Sequence, residues 1–415
     1  MKQSIRVVDE VGKEVHQALT ELLGLEDFNV VGYEIHEPEA LLILFCVVKH
    51  DAAICPDCQR TSGAAHEYKR RVRRDLPAFG MQCYLEYDHR RFKCSHCRKP
   101  FTEILSDVPF KGHYTARYES YVFEQYRHSP ITEIVRREGL GYKAAQGIFY
   151  RQVKRRIFRA KRGYVRRLGV DEIALKKGHQ QFALILSDLD QGCVIDMLED
   201  RHMECLEAWF DRLSPVERQG IEEVSMDMWS PYRSAVECKL PQAKIVADRF
   251  HVAQNLNRAV TKARRDIQRD AEPKIKECLK GSRWVLVKNE ANLSTKERAK
   301  LADLYQTSPE LKQLHQLKEA FRDIFETDQA RDQAAQALAT WMEKVRASGQ
   351  KFLEDFLKTL DNWGDQILNY FNQRTSQGFV EGINNKIKLI KRRGYGYRNF
   401  DQFSQRILIE CGLVP

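Results

Sequence analysis

Ile221-Glu-Glu-Val-Ser-Met-Asp227-Met-Trp-Ser-Pro-Tyr232, followed by Ala243-Lys-Ile-Val-Ala-Asp248-Arg-Phe-His251-Val252, is the stretch that decides the fold of this chain. Each half holds a short apolar run of the kind that forms a buried strand, and each run ends at an aspartate. The Ser-Pro pair between them predicts the start of a helix, with Ser230 as the N-cap and proline at the first helical position. Strand, helix and strand in this order predict a parallel unit.

Asp227 and Asp248 are therefore expected at the carboxyl ends of two strands, where sites form in open α/β sheets. Two carboxylates at one edge of a sheet are a candidate metal site. The alternative is that each aspartate only caps the helix that follows it. The segments on either side of this stretch decide between the two interpretations.

The composition indicates a soluble globular protein. The 415 residues are enough for two or three domains, and 43% of them are hydrophobic and 30% charged. No apolar run approaches the roughly 20 residues that cross a bilayer, and the N-terminus shows no signal peptide. A cytoplasmic location with no membrane partner is therefore expected.

The net charge of +10 is concentrated in dense basic blocks, notably residues 68–74 and 151–167. Local blocks of this kind favour a polyanion as the partner, most simply nucleic acid. The alternative is a basic face that is merely solvated.

Eleven cysteines without a secretion signal indicate reduced thiols and metal ligands. Cys55-Pro-Asp-Cys58 and Cys94-Ser-His-Cys97 are two C-x-x-C pairs, and their four thiolates can close a tetrahedron around one structural Zn²⁺. The spacer reads as two strands, residues 68–76 and 81–92, joined by a turn at Ala78-Phe-Gly80. This is the layout of a zinc ribbon. Disulfides are the alternative.

These signals divide the N-terminal part into three segments. Residues 1–50 read as an α/β lead-in, residues 51–110 as the zinc ribbon and residues 111–163 as a helix-turn-helix DNA-binding domain. In the last of these, Gly139-Leu-Gly141 is the turn before a long helix that can lie in a major groove. Any small three-helix bundle would read the same way. The candidate contacts to DNA in these segments are Arg70, Arg71, Arg73, Arg74, Lys143, Gln146, Arg151, Lys154 and Arg155.

The remainder reads as one α/β domain, residues 164–265 and 364–415, interrupted by an all-α insertion at residues 266–363. A strand bearing Asp171 opens the domain, and the elements after it follow the order β-β-β-α-β-α-β. This is the order of the RNase H-like fold, in which the first and fourth strands are neighbours. Apolar residues at helical spacing and few glycines or prolines indicate the insertion. The chain is thus predicted to be a multidomain α+β protein.

The segment after the insertion adds a third carboxylate and another basic patch. Glu381, Asn385 and Lys388 fall on one helical face, so Glu381 can complete a triad with the aspartates of the first and fourth strands. A surface glutamate on a basic helix is the alternative. The run from Lys391 to Arg398 mixes cations with aromatic residues, which suits a nucleic-acid backbone and stacked bases. The candidate contacts to DNA here are Lys388, Lys391, Arg392 and Arg393.

Taken together, nearly the whole chain resembles the bacterial insertion-sequence transposases of the DDE type, specifically the ISL-three family. The motifs that carry the resemblance are Gly169-Val-Asp171-Glu, Met226-Asp227-Met-Trp-Ser-Pro-Tyr, Ala247-Asp248-Arg-Phe-His251 and Glu381-Gly-Ile-Asn-Asn-Lys. The resemblance implies that Asp171, Asp227 and Glu381 form the catalytic triad. The Asp248-x-x-His251 pattern matches a signature of related transposase families.

The resemblance also implies the reaction. The triad would hold two Mg²⁺ (or Mn²⁺) ions roughly 4 Å apart, and the same centre would nick insertion-sequence ends and join the 3′ ends to target DNA. The partners would be double-stranded DNA, both ends and target, with the protein a homodimer in the DNA complex and associated with the bacterial nucleoid. We expect His251 to contact the scissile phosphate or to orient a carboxylate, and not to hold zinc. The alternative is a histidine packed under the sheet.

Two other functions fit parts of the sequence. One is a DNA-binding regulator that keeps the N-terminal modules but does not cleave, which nicking with Mg²⁺ would distinguish. The other is an RNase H-like nuclease that acts on junctions or hybrids, which a requirement for specific inverted-repeat ends would distinguish.

Overall fold

The computed structural model describes residues 10–109, 112–159, 163–175, 181–375 and 378–412. Residues 160–162 of the predicted basic block lie outside these ranges. The chain divides into two compact units, called unit 1 (Met1–Phe158) and unit 2 (Arg159–Pro415).

Unit 1 opens with a mixed β-sheet. Its first elements are α1 (Glu10–Leu23), β1 (Phe28–His36), β2 (Leu41–Val48), β3 (Ala53–Ile54), β4 (Thr61–Ser62), β5 (Ala65–Ala78), β6 (Met81–Lys93) and β7 (Pro100–Thr102). The main sheet has the order β1-β2-β6-β5, with β7 paired to β6. The predicted boundary at residue 50 therefore falls inside one sheet, because Leu44 of β2 and Leu85 of β6 are buried in one core.

The long ribbon hairpin turns where the sequence predicted. β5 ends at Ala78 and β6 begins at Met81, which leaves a two-residue loop. Phe79 and Gly80 both have left-handed backbone angles, with φ of 55° and 77°. Two left-handed residues match the twist of the flanking strands, which is why such loops connect hairpins.

Three helices complete unit 1, as predicted. They are α2 (Ala116–His128), α3 (Ile131–Glu138) and α4 (Tyr142–Arg159). Gly139 ends α3 with a φ of 61°, a conformation that glycine adopts without steric cost. Ile148 and Phe149 of α4 are fully buried.

Unit 2 contains a five-stranded sheet of mixed direction. Its first elements are β8 (Arg167–Ala174), β9 (Phe182–Asp188), β10 (Cys193–Leu198), α5 (Met203–Arg212), α6 (Pro215–Gly220), β11 (Glu223–Met226), α7 (Ser230–Lys239), β12 (Lys244–Ala247) and α8 (Arg249–Asp270). The strand order is β10-β9-β8-β11-β12. β9 is antiparallel to both of its neighbours, whereas β11 is parallel to β8 and to β12. The predicted adjacency of the first and fourth strands is confirmed.

The start of α7 differs from the prediction. Trp229, not Ser230, is the N-cap residue, and no side chain caps this helix. The turn after Asp227 is instead closed by the backbone, since the Trp229 N–H donates to the Asp227 carbonyl at 2.7 Å. Ser230 is thereby already the first residue of the helix.

The described part between β12 and the C-terminus is helical. The elements after α8 are α9 (Pro273–Leu279), α10 (Arg283–Val287), α11 (Thr295–Thr307), α12 (Pro309–Glu326), α13 (Arg331–Ser348), α14 (Glu354–Leu368), α15 (Tyr370–Gln373), α16 (Gly378–Arg393) and α17 (Phe400–Cys411). The predicted insertion boundaries at residues 266 and 363 fall within α8 and α14. One continuous core runs from Leu168 of the sheet to Phe371, so these helices pack as part of unit 2.

None of the described helices combines enough length with enough apolar character to cross a bilayer.

A buried histidine in unit 2 should make stability depend on pH. Burial and the charge of Lys318 lower the pKa of His315 to about 4, whereas an unfolded histidine titrates near 6.5. The unfolded chain therefore takes up the proton first, and stability is lost as pH falls from about 6.5 towards 4. At about 1.4 kcal/mol per pH unit, we expect this residue to remove about 2 kcal/mol between pH 7 and pH 5.

The measurement is urea unfolding at both pH values for the wild type and for His315→Gln. We expect the variant to lose less stability between pH 7 and pH 5 by about that amount. His202→Gln is the control, because the His202 side chain is 70% exposed. Equal pH dependence in all three proteins would contradict a buried neutral His315.

Candidate active site

The register of the parallel strands places three aspartates in one row. Val170 of β8 pairs with Met226 of β11, and Met226 pairs with Ala247 of β12. The residue after each of these is an aspartate: Asp171, Asp227 and Asp248. The strand-end carboxylates predicted from the sequence therefore lie side by side on three adjacent strands.

The first turn of α8 adds a histidine to this row. One ligand atom from each of Asp171, Asp227 and His251 lies within 4.8 Å of the other two. His251 Nε2 is 2.8 Å from Asp227 Oδ1 and 3.8 Å from Asp248 Oδ2. The expected position of His251 beside the carboxylates is thus what the structure shows.

Two hydrogen bonds hold the Asp171 carboxylate. The backbone N–H of Glu172 donates to its Oδ1 at 2.8 Å, and the Asn384 side-chain amide donates to its Oδ2 at 2.6 Å. Burial raises the pKa of Asp171, and the nearby charge of Asp227 raises it further. The two aspartates thus repel each other in a partly dry site.

Asp248 caps α8, as the capping alternative predicted. Its Oδ1 accepts a hydrogen bond from the Phe250 N–H at 3.2 Å. Burial raises the pKa of Asp248 to about 6, although the His251 charge opposes the shift. Asp227 caps no helix with its side chain, because α7 has no side-chain cap. The capping alternative therefore holds for Asp248 and fails for Asp227.

The neighbouring acids change the pKa of the His251 imidazole. Burial acts to lower its pKa, but the carboxylates of Asp227, Asp248 and Asp171 outweigh burial, and the pKa is raised. A protonated His251 would therefore balance part of the negative charge at the site.

Glu381 is not among the side chains that the structure gathers at this point. It lies exposed on the first turn of α16, and the group of possible metal ligands found among the described residues contains Asp171, Asp227 and His251. Asn384, one helical turn later, reaches Asp171 instead. The predicted residue on this face was Asn385, which is exposed. Helical spacing of three as well as four residues was the signal that could have found Asn384.

The atoms at the site suit a divalent cation. Asp227 Oδ1 is buried, and no described N–H or O–H is aligned to donate to it, although His251 Nε2 is 2.8 Å away. Asn384 Oδ1 is buried and lacks a donor as well. Carboxylate and amide oxygens are the ligands that Mg²⁺ and Mn²⁺ prefer.

The four predicted zinc ligands converge in unit 1. The Sγ atoms of Cys55 and Cys97 are 3.7 Å apart, and those of Cys58 and Cys94 are 3.5 Å apart. All four sulfurs lie within 4.8 Å of one another. The pKa of the Cys94 thiol is lowered to about 6, and the largest cause is a hydrogen bond with the backbone of Cys97. A thiolate is the form that binds zinc.

The two C-x-x-C turns have the same backbone construction. In the first, the Gln59 N–H donates to the Cys55 carbonyl at 2.9 Å, and in the second the Arg98 N–H donates to the Cys94 carbonyl at 3.0 Å. Gln59 and Arg98 both have a φ of 58°. Two matching turns therefore present four thiols to one point.

The predicted DNA contacts on β5 fall into two groups. The Arg70 side chain is 69% exposed and pairs with Glu86 at 3.0 Å, and Arg71 is half-buried. Arg73 and Arg74 are buried, which corrects their assignment as phosphate contacts. Arg74 lies 3.5 Å from buried Glu138 and stacks over the Tyr118 ring.

The predicted contacts on α4 remain at the surface. Lys143 and Lys154 are exposed, and Gln146 is half-buried. Arg151 lies 2.6 Å from the buried carboxylate of Glu119, and Arg155 lies 3.6 Å from it. One buried glutamate therefore holds two arginines whose side chains are each 46% exposed.

The predicted contacts on α16 are also mixed. Lys388 and Arg392 are exposed. Lys391 donates to the Leu175 carbonyl, and Arg393 pairs with Glu410. The last two cations thus help to attach α16 to neighbouring elements of unit 2.

Two family models match this chain. A model described as a transposase, of the ISL3 group of DDE transposases, matches residues 168–407. A model described as the zinc-finger of transposase IS204/IS1001/IS1096/IS1165 matches residues 51–97. The second match contains all four clustered cysteines.

Individual proteins are similar over much of the chain. The transposase for insertion sequence element IS1001 of Bordetella parapertussis is 28% identical over 389 residues, which cover 92% of this chain and 95% of that protein. The transposase for insertion sequence element IS1557 of Mycobacterium tuberculosis is 28% identical over 258 residues, which cover 57% of each.

Arg74 should stabilise unit 1 and contribute little to DNA binding. In Arg74→Ala, the buried carboxylate of Glu138 loses its cation, and breaking such a buried pair costs about 3–5 kcal/mol. We expect that loss in urea unfolding of the full chain. Arg70→Ala is the control, because exposed ion pairs contribute about 0–1 kcal/mol. An Arg74→Ala protein of normal stability that binds DNA with a shallower salt dependence would restore the phosphate assignment.

The cysteine cluster should bind one Zn²⁺ per chain. Metal analysis of the purified protein should give one zinc, and Cys94→Ala should lose it, because three thiolates leave the tetrahedron open. Cys238→Ser, at an exposed cysteine of α7, should keep the full zinc content. Native protein without zinc and with four reactive thiols at this cluster would contradict the assignment.

Proposed function

Since this chain belongs to the ISL3 family of DDE transposases, we propose that it binds insertion-sequence ends, cleaves them and joins their 3′ ends to target DNA. The observation that carries the proposal is the gathering of Asp171 and Asp227 on adjacent parallel strands, with His251 within 4.8 Å. Recognition of the insertion-sequence ends is assigned to unit 1, and cleavage and joining of DNA strands to unit 2.

The sheet supports an RNase H-like catalytic domain. Three antiparallel strands are followed by two parallel ones, and the sheet order β10-β9-β8-β11-β12 places the first strand, β8, beside the fourth, β11, the adjacency that the sequence predicted for this fold. The carboxyl edge of β8, β11 and β12 carries the acids. Open α/β sheets place their sites at that edge.

The residues of this edge would hold divalent cations, Mg²⁺ or Mn²⁺. When bound, such ions activate the attacking oxygen and stabilise the leaving oxygen of a phosphoryl transfer. Asp171 and Asp227 provide the central carboxylates, and Asn384 fixes the orientation of Asp171 through the 2.6 Å hydrogen bond. His251 Nε2 lies 2.8 Å from Asp227, where it can hold a proton close to the scissile phosphate.

Glu381 is the proposed third carboxylate. It precedes Asn384 by one helical turn, so both side chains leave α16 on the same side. Asn384 touches Asp171, and this contact orients that face of α16 towards the acids. Charge supports the assignment as well, because each further carboxylate strengthens a site for two dications.

The N-terminal modules are proposed to bind double-stranded DNA. The three helices of unit 1 follow the helix-turn-helix order, with a glycine turn before α4, and a helix of this length can enter a major groove. Lys143, Lys154 and the two arginines held by Glu119 are exposed cations among the described side chains of α4. Zinc would be structural in the ribbon, and the complex with two ends would contain a homodimer.

Loss of the carboxylates should separate cleavage from binding. Asp171→Asn and Asp227→Asn keep the shape but remove the charge that holds metal, so nicking of a plasmid bearing the element's ends should fall on the order of 10⁴-fold. Gel-shift affinity for the ends should stay within about twofold, because the side chains assigned to DNA binding are unchanged. Asp365→Asn is the control, since Asp365 is exposed and pairs with Arg331.

Glu381→Gln tests the third position separately, with the same substrate. We expect the same loss of nicking. A Glu381→Gln protein that nicks at the wild-type rate would remove Glu381 from the triad. Normal nicking by Asp171→Asn would overturn the proposed active site as a whole.

A further inference from the structure

The end of α16 has an unusual residue at its turning point. The Gly396 N–H donates to the Lys391 carbonyl at 3.0 Å, and the Tyr395 N–H donates to the Arg392 carbonyl at 3.0 Å. This pair of bonds is the Schellman motif, in which the residue at the Tyr395 position adopts a left-handed conformation and is usually glycine. Tyr395 has a φ of 53°.

A tyrosine at this position is strained without a gain from packing. A bulky residue in the left-handed region incurs a conformational cost that glycine does not. Tyr395 is also 85% exposed, so burial of its ring does not offset that cost within the described fold. Strained residues that persist in a structure are candidates for a functional role.

A cavity of about 440 Å³ adjoins the turn. Its lining includes Gly396, Tyr397, Arg398 and Phe400 from the turn and the start of α17, together with Glu199 and Gln181 from the ends of neighbouring strands. The volume is in the range of roughly 300–1,000 Å³ that small-ligand sites occupy. Aromatic rings beside a cation and hydrogen-bonding side chains suit a nucleotide.

Gly394, the residue before Tyr395, lets the Tyr397 ring pack directly against the backbone of the turn. A Cβ on Gly394 would lie 2.6 Å from the ring of Tyr397, which itself lies 4.9 Å from the Phe403 ring. Two aromatic rings are thus packed behind the turn, while the third, Tyr395, points into solvent. Exposed Arg392 and Arg398 flank it, where they can bind backbone phosphates.

The turn lies at a definite distance from the acids. Asn384, which contacts Asp171, precedes Arg393, the last residue of α16 before the turn, by nine residues. At 1.5 Å per residue this is about 14 Å along the helix, or about four base pairs at 3.4 Å each. A DNA strand held at the acids would therefore pass the turn within a few nucleotides.

We propose that Tyr395 stacks on a nucleobase of the bound strand and holds it unpaired at the cavity beside the turn, a few nucleotides from the scissile phosphate. The site takes one nucleotide, its base against the exposed ring and its phosphate near Arg392 or Arg398. The inference rests on the proposed function, because the strand must first be bound at the acids. The strand could belong to the insertion-sequence end or to the target.

The test uses the full chain with Ca²⁺ in place of Mg²⁺, so that DNA binds uncut. The probes are duplexes of the terminal inverted repeat with 2-aminopurine at each of the first five positions from the cleavage site, and target duplexes labelled in the same way. Wild-type protein should raise the fluorescence at one position near the fourth, as expected when a base leaves the stack. The labelled duplex that responds identifies the source of the strand.

Tyr395→Gly should have two opposite effects. The helix end loses its strain, so the melting temperature should rise, while the fluorescence increase disappears and affinity falls about 5- to 150-fold, the range for one stacked base. Tyr395→Phe should keep the signal, and Tyr395→Leu should lose it without the gain in stability. Trp284→Ala, at a residue 65% exposed in the helical region, is the control for an exposed aromatic ring.

The outcomes separate this inference from the proposed function. A wild-type protein that nicks the ends in Mg²⁺, together with a Tyr395→Gly protein that retains full fluorescence and affinity, would overturn the nucleotide site alone. A wild type that shows no fluorescence increase at any of the labelled positions would overturn it too. A wild type that neither nicks nor binds the ends would overturn the proposed function.

Discussion

The parallel pairing of β11 with β8 and with β12 is the constraint on which the candidate active site depends. β11 and β12 have only four residues each, and both lie within the continuous core of unit 2. Their register sets Val170, Met226 and Ala247 in one row, so the aspartates that follow emerge together. A shift of one residue would turn every side chain to the opposite face. Burial of the apolar strand residues thus fixes the register, and the register fixes the positions of Asp171, Asp227 and Asp248.

Bringing acids together has an electrostatic cost, and the surroundings offset it only in part. Burial raises the pKa of Asp171 and Asp248, while Asn384 donates a hydrogen bond to Asp171 and His251, whose pKa the acids raise, lies 2.8 Å from Asp227. Among the described residues, no donor is aligned with the buried Asp227 Oδ1, although His251 Nε2 lies 2.8 Å away. The site therefore leaves room for further positive charge, which a divalent cation supplies in phosphoryl transfer.

The arginines of unit 1 that pair with buried glutamates fall into two groups, which differ in how far the arginine side chain is buried. Arg74 lies against Glu138 inside unit 1 and stabilises the contact between β5 and the helices. Arg151 and Arg155 use a buried partner differently, since Glu119 holds their inner ends while their side chains stay half exposed. A buried acid can therefore pair with a cation that is itself buried and has no contact with solvent. It can also hold the position of a cation whose side chain still reaches solvent.

The sequence by itself determined the features that depend on neighbours along the chain. Two C-x-x-C pairs indicated the thiol cluster, and apolar runs ending at Asp227 and Asp248 indicated two strands and an edge of acids, because spacing and periodicity are local properties. Tertiary structure alone decided which side chain meets which. Asn384 reaches Asp171 across 213 residues of sequence, and Arg74 is buried while Arg70 is not. Burial and partnership are set by the packing of distant segments, which no local pattern specifies.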